Sequence, residues 1–515
     1  MNTKVIILIA SFAFIILNHF FGFSGHYGYD DMEYAKLANN LNNGIIDWNN
    51  HYSHRWSILG ITAFCYSIFG INDFASALPA LLASLGTLAL VFIILRNEST
   101  FHVTLAIAFT CFSNWWIYYS DKLMPDMLVC FSITSCCYFL YRDRFKKPHT
   151  FLINALGFSI SLFIGFFAKG SIVLGLPVFI FIFFKDLLNQ KSMKIWTYSG
   201  IFSLVLLSFY FLMIWKSTGS ALSRLEAIHL NAYDNPCNYQ LQDIFAVLYR
   251  ITFGYIFLLI ESGIIIPYLL IIASLSSKRM HMIFDISQPH TFLRAFAIVL
   301  VLSSNFMTIS WTGYNPICLD PRHHLFLIPA AALAAIHFFN SKHSNKKIKL
   351  IVLISGTAII ASYIDIFLIF KIYLPLLLAT YTLLYFNHFK KLTMIFFIIA
   401  LFATPLSLIL NSIELNYRGQ RKFIQENIPF ENKVNIYTHK VESRIINYDL
   451  KFDSESNFHR LKDLDERNDS LEIYVILNKY TRHLSGENKL DLSMYNLDRL
   501  AEDRDLGITI YKILP

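Results

Sequence analysis

The sequence predicts an α-helical polytopic membrane protein with a small soluble α/β domain at its C-terminal end. Three observations predict it. The 515 residues are 55% hydrophobic and only 15% charged, with 48 Phe and 28 Tyr, more apolar surface than a soluble domain of this size needs. Apolar stretches recur at the length of about 20 residues that a helix needs to cross a bilayer. After Asn411 the composition turns polar and charged. Lipid offers no partner to backbone polar groups, so spanning segments are helices or closed barrels, and no barrel-like alternation is visible.

About thirteen segments read as spans by hydrophobic length: 4–23, 75–95, 101–118, 125–141, 151–167, 170–184, 197–215, 248–272, 292–311, 323–340, 349–364, 369–386 and 392–411. The first, within "MNTKVIILIASFAFIILNHFFGF", has one early Lys, no A-x-A-like site and an apolar run longer than a usual signal sequence. It is expected to remain as a span. Lys and Arg gather in alternate short loops: Arg142, Arg144, Lys146 and Lys147; Lys185, Lys191 and Lys194; Lys278 and Arg279; Lys342, Lys346, Lys347 and Lys349; Lys390 and Lys391. The positive-inside rule assigns these loops to the cytoplasm. The N-terminus is then cytoplasmic. The loop after the first span and everything after residue 411 face outward. The segment "WSILGITAFCYSIFGI" (56–71) is apolar but short. If it spanned, every later loop would invert, so it reads as a juxtamembrane or half-inserted helix.

Two domains follow: a transmembrane domain over 1–411 and an outer α/β domain over 412–515. The second contains the strand-like runs "KVNIYTH", "LEIYVILN" and "GITIYKIL" between helix-like polar stretches. No internal repeat or low-complexity segment is present. The net charge of +8 sits largely in the short loops, where it sets orientation and does not imply nucleic acid. Of seven cysteines, Cys65, Cys111, Cys130, Cys136 and Cys137 lie in or beside apolar segments and read as packing residues. Cys237 and Cys318 fall in loops placed outside and are candidates for a disulfide, although sequence position says nothing of their proximity.

Chemistry-bearing residues concentrate in the outward loops. "SGHYGYDDMEYAKLANNL" places Asp30 and Asp31 side by side just after the first span. Tyr34, Leu37, Ala38 and Leu41 follow at helical spacing, which predicts an amphipathic helix at the interface. One acid is expected to cap that helix and suit its dipole. A cap uses one carboxylate and leaves the other, with His26, His51, His54 and Arg55, unexplained. The alternative is a catalytic carboxylate acting as general base, with its neighbour orienting it, shifting its pKa or helping to hold a cation.

"SNWWIYYSDKLMPDML" adds Asp121, Lys122 and Asp126, "FFAKGSIVLGLP" adds Lys169, and "LDPRHHLFLIPAAALAA" adds Arg322 and His323. A base at a span end is either a snorkelling anchor or a group that holds a phosphate at the lipid surface. His51 and His54 form an H-x-x-H pair. With Asp30 and Asp126 they are weak candidates for a divalent cation, and the pattern supplies no further ligand. Trp115, Trp116, Tyr118 and Tyr119 suit an aromatic belt. No Gly-rich nucleotide loop, Walker motif or H-E-x-x-H is present.

The order of these pieces resembles one family. "DDMEYAKLANNL" is similar to the D-E-x-x-Y-x-x-x-A-x-x-L stretch of GT-C membrane glycosyltransferases, such as protein O-mannosyltransferases and the aminoarabinose transferase acting on lipid A. "WSILGITAFCYSIFGINDFASALPALLASLGTLALVFIILR" resembles the family's juxtamembrane helix, F-G turn and small-residue-rich second span. "DKLMPDMLVCFSIT" resembles R-x-D-M-L, "FFAKGSIVLGLP" resembles L-x-K-G-P-x-x-L-x-x-P, and "PRHHLFLIPAAALAA" resembles x-R-Y-x-L-P-x-x-P-A-x-A-L-x-A. Each motif is weak alone; together, in order, they cover nearly the whole membrane part.

The resemblance implies a GT-C fold and an enzyme that moves a sugar from a polyprenyl-phosphate carrier to an acceptor hydroxyl outside the membrane, inverting the anomeric centre. It implies Asp30 as the base or base-positioning acid, Asp31 at the position usually held by Glu, and Asp126 as the second acid. Lys169 and Arg322 would bind the carrier phosphate, His323 stands where Tyr is usual, and Arg55 substitutes for the Lys of a K-P-P stretch. The implied partners are the lipid-linked donor, membrane lipid and an acceptor that is a lipid-linked glycan, lipopolysaccharide or protein. The compact loops and short outer domain point to a bacterial inner membrane, with the C-terminal domain periplasmic; an endoplasmic reticulum location would preserve the same chemistry. No cofactor is certain, and a divalent cation stays open. Two other classes share the gross features: a flippase or transporter for lipid-linked sugars, and a non-catalytic assembly protein. Transporters more often put ionisable groups at mid-membrane, where Glu261 is the main example here.

Overall fold

Capping side chains start some of the helices and left-handed glycines end others, such as Gly70 and Gly219. The structure, a computed structural model, describes residues 2–191, 193–230, 238–275, 283–310, 313–340, 344–365, 372–378, 390–453, 456–466, 471–485 and 494–514. Helix α1 (Thr3–Gly22) starts at Asn2, whose side chain accepts from the Lys4 amide. Helix α2 (Asp30–Asn42) is short and polar. Helix α3 (Trp56–Phe69) has 14 residues, about 21 Å at 1.5 Å per residue, too short for a hydrocarbon core of about 30 Å. It packs on α2 and on α4 (Asp73–Leu95), which begins where the Asn72 side chain accepts from the Ala75 amide.

The expected span 101–118 divides into α5 (Thr100–Cys111) and α6 (Asn114–Tyr119). Helix α7 (Asp126–Phe145) packs against α4 and α8 (Phe151–Ala168). Lys169 is extended and ends α8. A 3₁₀ turn, Gly170–Gly175, then leads into α9 (Leu176–Leu188), with Pro177 in its first turn, and α10 (Lys194–Thr218) follows.

Among the described residues, six helices are long and apolar enough to cross a membrane: Thr3–Gly22, Asp73–Leu95, Pro148–Ala168, Gly170–Leu188, Lys194–Thr218 and Ile244–Glu261. The α7 helix is as long but carries Asp126, Arg142, Asp143 and Arg144. The expected span 248–272 is not continuous. It holds a π turn at Arg250–Gly254 and breaks after Glu261, at Gly263, whose φ of 71° no helix continues through. The span expected over 323–340 enters through a 3₁₀ turn, Pro321–His324, before the helix Leu327–Ala335. Most of the segment 369–386 lies outside the described residues. Cys318 is disulfide-bonded, Cys237 lies outside the described residues, and the other five cysteines are free and buried.

The helix Lys390–Leu415 hands the chain to a five-stranded sheet of order β2-β1-β3-β5-β4. Strands β1 (Asn435–Thr438), β3 (Ile473–Asn478) and β5 (Ile508–Ile513) lie inside; β2 (Asn457–Arg460) and β4 (Leu497–Asp503) form the edges. β1 runs parallel to β2 and β3, and β5 antiparallel to β3 and β4. Residues alternate between two faces. Ile436, Tyr474 and Ile476 share a core with Ile424 and Ile446 from the helices Tyr417–Asn427 and Lys440–Asp449. Tyr437 and Val475 pack on the other side with Leu461 and Leu464.

The sheet domain is seated on the bundle. Tyr417, Val441, Ile445 and Tyr448 belong to the bundle's own core. The Ser76 hydroxyl lies 2.7 Å from both the Tyr66 and Tyr448 hydroxyls. The Tyr448 ring meets His26 edge-on, with centroids 4.5 Å apart, and His26 Nε2 is 3.0 Å from Asp73 Oδ1. Gly25 and Gly28, both at φ 82°, permit this approach. A Cβ would stand 2.3 Å from the Tyr417 ring at Gly25 and 2.4 Å from Val441 Cγ1 at Gly28. Gly25→Ala and Gly28→Ala are therefore expected to lower stability by about 1–3 kcal/mol each, from left-handed strain plus overpacking. Gly44, at φ 74° with nothing within 4 Å, isolates the strain, so Gly44→Ala is expected to cost about 1 kcal/mol. Thermal unfolding of the purified variants reads the difference; equal losses at all three positions would show that this loop does not seat the sheet domain.

Candidate functional site

The adjacent acids do different things because successive helical residues point about 100° apart. The expected capping role is corrected by the structure: the N-cap is Tyr29, and no side chain caps the helix there. Asp31 turns back into the protein, fully buried, and accepts from the amides of Tyr27 and Tyr29 at 2.5 and 2.9 Å. His26 Nδ1 lies 3.8 Å from the same carboxylate. Asp31 thus ties down the loop Ser24–Tyr29. The Asp30 side chain is 32% exposed. Its Oδ1 accepts from the Tyr52 hydroxyl at 2.9 Å, and its Oδ2 lies 3.5 Å from Arg322 Nη1.

Asp126, at the first turn of α7, is 3% exposed. Its Oδ1 accepts from Lys169 Nζ at 2.8 Å and lies 3.1 Å from His323 Nδ1. Lys169 Nζ is also 2.8 Å from His323 Nδ1. A charged ammonium donates to both, which leaves the His323 proton on Nε2. Three segments bring these groups together: the start of α7, the extended break after α8, and the 3₁₀ turn Pro321–His324.

Arg322 joins the two carboxylate centres. Besides Asp30 it pairs with Asp320, 3.0 Å from Nε, and its Nη1 touches Met124 Sδ at 3.9 Å. Burial works against the Arg322 charge, but Asp126, Asp320 and Asp30 outweigh it and hold the guanidinium above its ordinary range. Burial pushes the Lys169 ammonium down to about 8; Asp126 opposes the shift, while Arg322 and Arg55 add to it.

Arg55 belongs to the same rim. It donates to the Tyr34 hydroxyl and stacks over the Tyr52 ring, 4.6 Å from its centroid. The His51 ring lies tilted at 36° against Tyr52 with centroids 4.0 Å apart, and His54 Nε2 donates to the Trp48 carbonyl at 3.0 Å. Among the described residues no three His, Cys, Asp or Glu side chains are grouped to hold a metal ion. The structure therefore gathers Asp30, Asp126, Arg322, His323, Lys169 and Arg55 at one end of the bundle, and turns Asp31 and His54 to other partners.

Sequence reasoning missed Tyr52 and Asp320. Asp320 carried a signal: an acid just before Pro321 is placed to cap the turn, and its Oδ1 accepts from the Arg322 amide at 2.9 Å. Tyr52 carried none, since an interfacial Tyr is ordinary.

No protein-family model and no curated protein matches the sequence. Solved structures match in shape. ArnT from Cupriavidus metallidurans bound to undecaprenyl phosphate superposes with a TM-score of 0.60 at 12% identity, over 99% of this chain and 97% of that one. The apo state of the same protein gives 0.59 at 12% identity, over 98% and 97%. The archaeal oligosaccharyltransferase AglB from Archaeoglobus fulgidus, in complex with an inhibitory peptide and a dolichol-phosphate, reaches 0.46 at 10% identity, over 87% of this chain and 63% of that one. The end-to-end likeness to ArnT, over nearly the whole of both chains, identifies the architecture: this chain has the fold of ArnT.

Proposed function

We propose that the chain is a glycosyltransferase that moves a sugar from a polyprenyl-phosphate carrier to an acceptor hydroxyl at the outer face of a bacterial inner membrane. One observation carries the reading: a half-exposed carboxylate, Asp30, lies 3.5 Å from an arginine at the rim where Lys169, Arg55 and a second acid also meet. A polyprenyl tail stays in lipid and its sugar stays in water, so a site for both belongs at such a rim. The likeness in fold to ArnT, solved with undecaprenyl phosphate, supports the same donor class.

In this reading Arg322, Lys169 and Arg55 hold the carrier phosphate and stabilise the charge that grows on it as the glycosidic bond breaks. Asp30 takes the acceptor's proton while the acceptor oxygen attacks the anomeric carbon. One displacement of this kind inverts that centre. Asp126 holds the Lys169 ammonium, which in turn holds His323, and Asp31 holds the loop. The acceptor is a lipid-linked glycan, lipopolysaccharide or a protein, and the sheet domain stands beside it on the periplasmic side. The surface clustering of charge favours this over a transporter.

Transfer of labelled sugar from polyprenyl-phosphate donors in membranes tests the proposal. Asp30→Asn is expected to lower transfer by a factor on the order of 10² to 10⁴ while leaving undecaprenyl phosphate binding intact. Normal transfer by that variant would remove Asp30 from the chemistry. Asp31→Asn keeps one acceptor oxygen for two amides, so its expected effect is on folding, a loss of about 1–3 kcal/mol in thermal unfolding, with the residual folded protein still active.

The Lys169 charge sets a pH limit. Its ammonium titrates near 8, so it is charged below that pH and neutral above it. Affinity for undecaprenyl phosphate is expected to fall as pH rises through about 8, and Lys169→Arg, which stays charged, is expected to flatten that dependence. A binding titration from pH 6.5 to 9.5 decides it, because a wild-type affinity independent of pH would take Lys169 out of the phosphate site.

A further inference from the structure

Lys122 is a buried cation that the proposed chemistry does not use. It lies in the turn between α6 and α7, and its side chain is 3% exposed. Burying an ammonium costs several kcal/mol unless it is paired and hydrogen-bonded, and burial lowers its pKa, with Asp121 opposing. The environment meets that cost from several sides. Nζ donates to the Gly25 carbonyl at 2.7 Å and the Ser24 hydroxyl at 2.9 Å. Asp121 Oδ1 lies 3.5 Å away, and the ring faces of Phe23 and Tyr118 lie 4.3 and 5.1 Å away. Asp121 in turn reaches His19 Nδ1 on α1 at 3.3 Å. This shell is occupied by the protein itself, so Lys122 is not a second phosphate site.

Its partners belong to the loop that carries Asp30. Ser24 and Gly25 open that loop, and Asp31 holds its other end through Tyr27 and Tyr29. Asp126 follows Lys122 along the same segment, with Met124 against Arg322 between them. One short stretch therefore grips the Asp30 loop at one end and presents the second carboxylate at the other. We infer that Lys122 is a positioning residue that sets the place of Asp30 relative to Asp126 and Arg322 by anchoring Ser24 and Gly25. This rests on the reading of Asp30 as the base.

The experiment compares Lys122→Met, Lys122→Arg, Ser24→Ala and Asp30→Asn with wild type in three measurements. These are initial transfer rate at saturating polyprenyl-phosphate sugar, affinity for undecaprenyl phosphate, and hydrogen exchange of the 24–29 amides. Lys122→Met is expected to lower the saturated rate about tenfold or more, as displacement of a reacting group does. It should leave the affinity within about twofold and speed exchange in the loop alone. Lys122→Arg, which keeps donors for the two oxygens, is expected to recover part of the rate. A folded Lys122→Met with the wild-type rate overturns the inference. So does a variant whose rate and affinity fall together, since that marks general damage. Where Lys122→Met does not fold, Ser24→Ala decides: a drop of a few fold in rate at unchanged affinity supports the inference, and an unchanged rate overturns it. Asp30→Asn separates the two claims. If it is inactive while Lys122→Met is normal, only the positioning role falls; if it transfers normally, the base and its positioning residue fall together.

Discussion

The site depends on a buried ion pair, Lys169 to Asp126 at 2.8 Å. It joins the start of α7 to the extended break after α8, and His323 closes the group from a third segment. Removing either partner leaves an uncompensated buried charge, which costs about 3–5 kcal/mol, whereas the intact pair adds little net stability over apolar packing. Such a pair is therefore a weak stabiliser and a strong constraint on geometry. Its two groups also differ in accessibility. Lys169 is 17% exposed and Asp126 is 3% exposed, so the rim presents the cation and keeps the anion behind it. Asp126 Oδ2 has no hydrogen-bond partner among the described residues, which leaves one acceptor of the group unused.

Two carboxylates in one rim would repel each other if both were bare. Asp126 has an ammonium against it, whereas Asp30 has a guanidinium at the longer distance of 3.5 Å and a tyrosine hydroxyl. Asp30 is the exposed one. A group that accepts a proton from a substrate must be reachable, and a group that holds cations in register must be fixed. In the proposed reading those tasks fall to Asp30 and Asp126, whose exposures of 32% and 3% differ in that sense. Arg322, between them, couples the centres electrostatically without bringing the carboxylates into contact.

How much of this was legible in the sequence varies with how local the cause is. Long apolar runs and the three internal strands follow from local pattern. β2 and β4 were not legible. "NFHR" and "LDRLAED" are edge strands, mixed in polarity because one side of an edge stays wet. The break of 248–272 at Gly263 was not legible either, since a single glycine in an apolar run leaves its φ undetermined. The resemblance grouped Asp30, Asp126, Lys169 and Arg322 by motif order, and the structure places them together through contacts that no single motif contains. The separation of Asp30 from Asp31 was hidden, since it depends on the chain folding back so that Tyr27 and Tyr29 offer their amides to the second acid. Tyr52 was hidden for a related reason: its value lies in the neighbour it finds 22 positions away.

The last physical step concerns the loop itself. Six residues, Ser24 to Tyr29, hold Asp30 at the end of α1, and a free loop of that kind would place a carboxylate loosely. Here the loop is closed from three sides. Lys122 holds the Gly25 carbonyl and the Ser24 hydroxyl, Asp31 accepts from the Tyr27 and Tyr29 amides, and Tyr417 and Val441 of the sheet domain fill the space over its two left-handed glycines. Arg444, from the same sheet domain, reaches the Tyr29 carbonyl at 3.5 Å. The sheet domain is thus part of the wall that positions the acid rather than an appended module. Preorganisation of this kind is what a charge-stabilising site requires, because donors and acceptors that must first be ordered spend binding energy on that ordering.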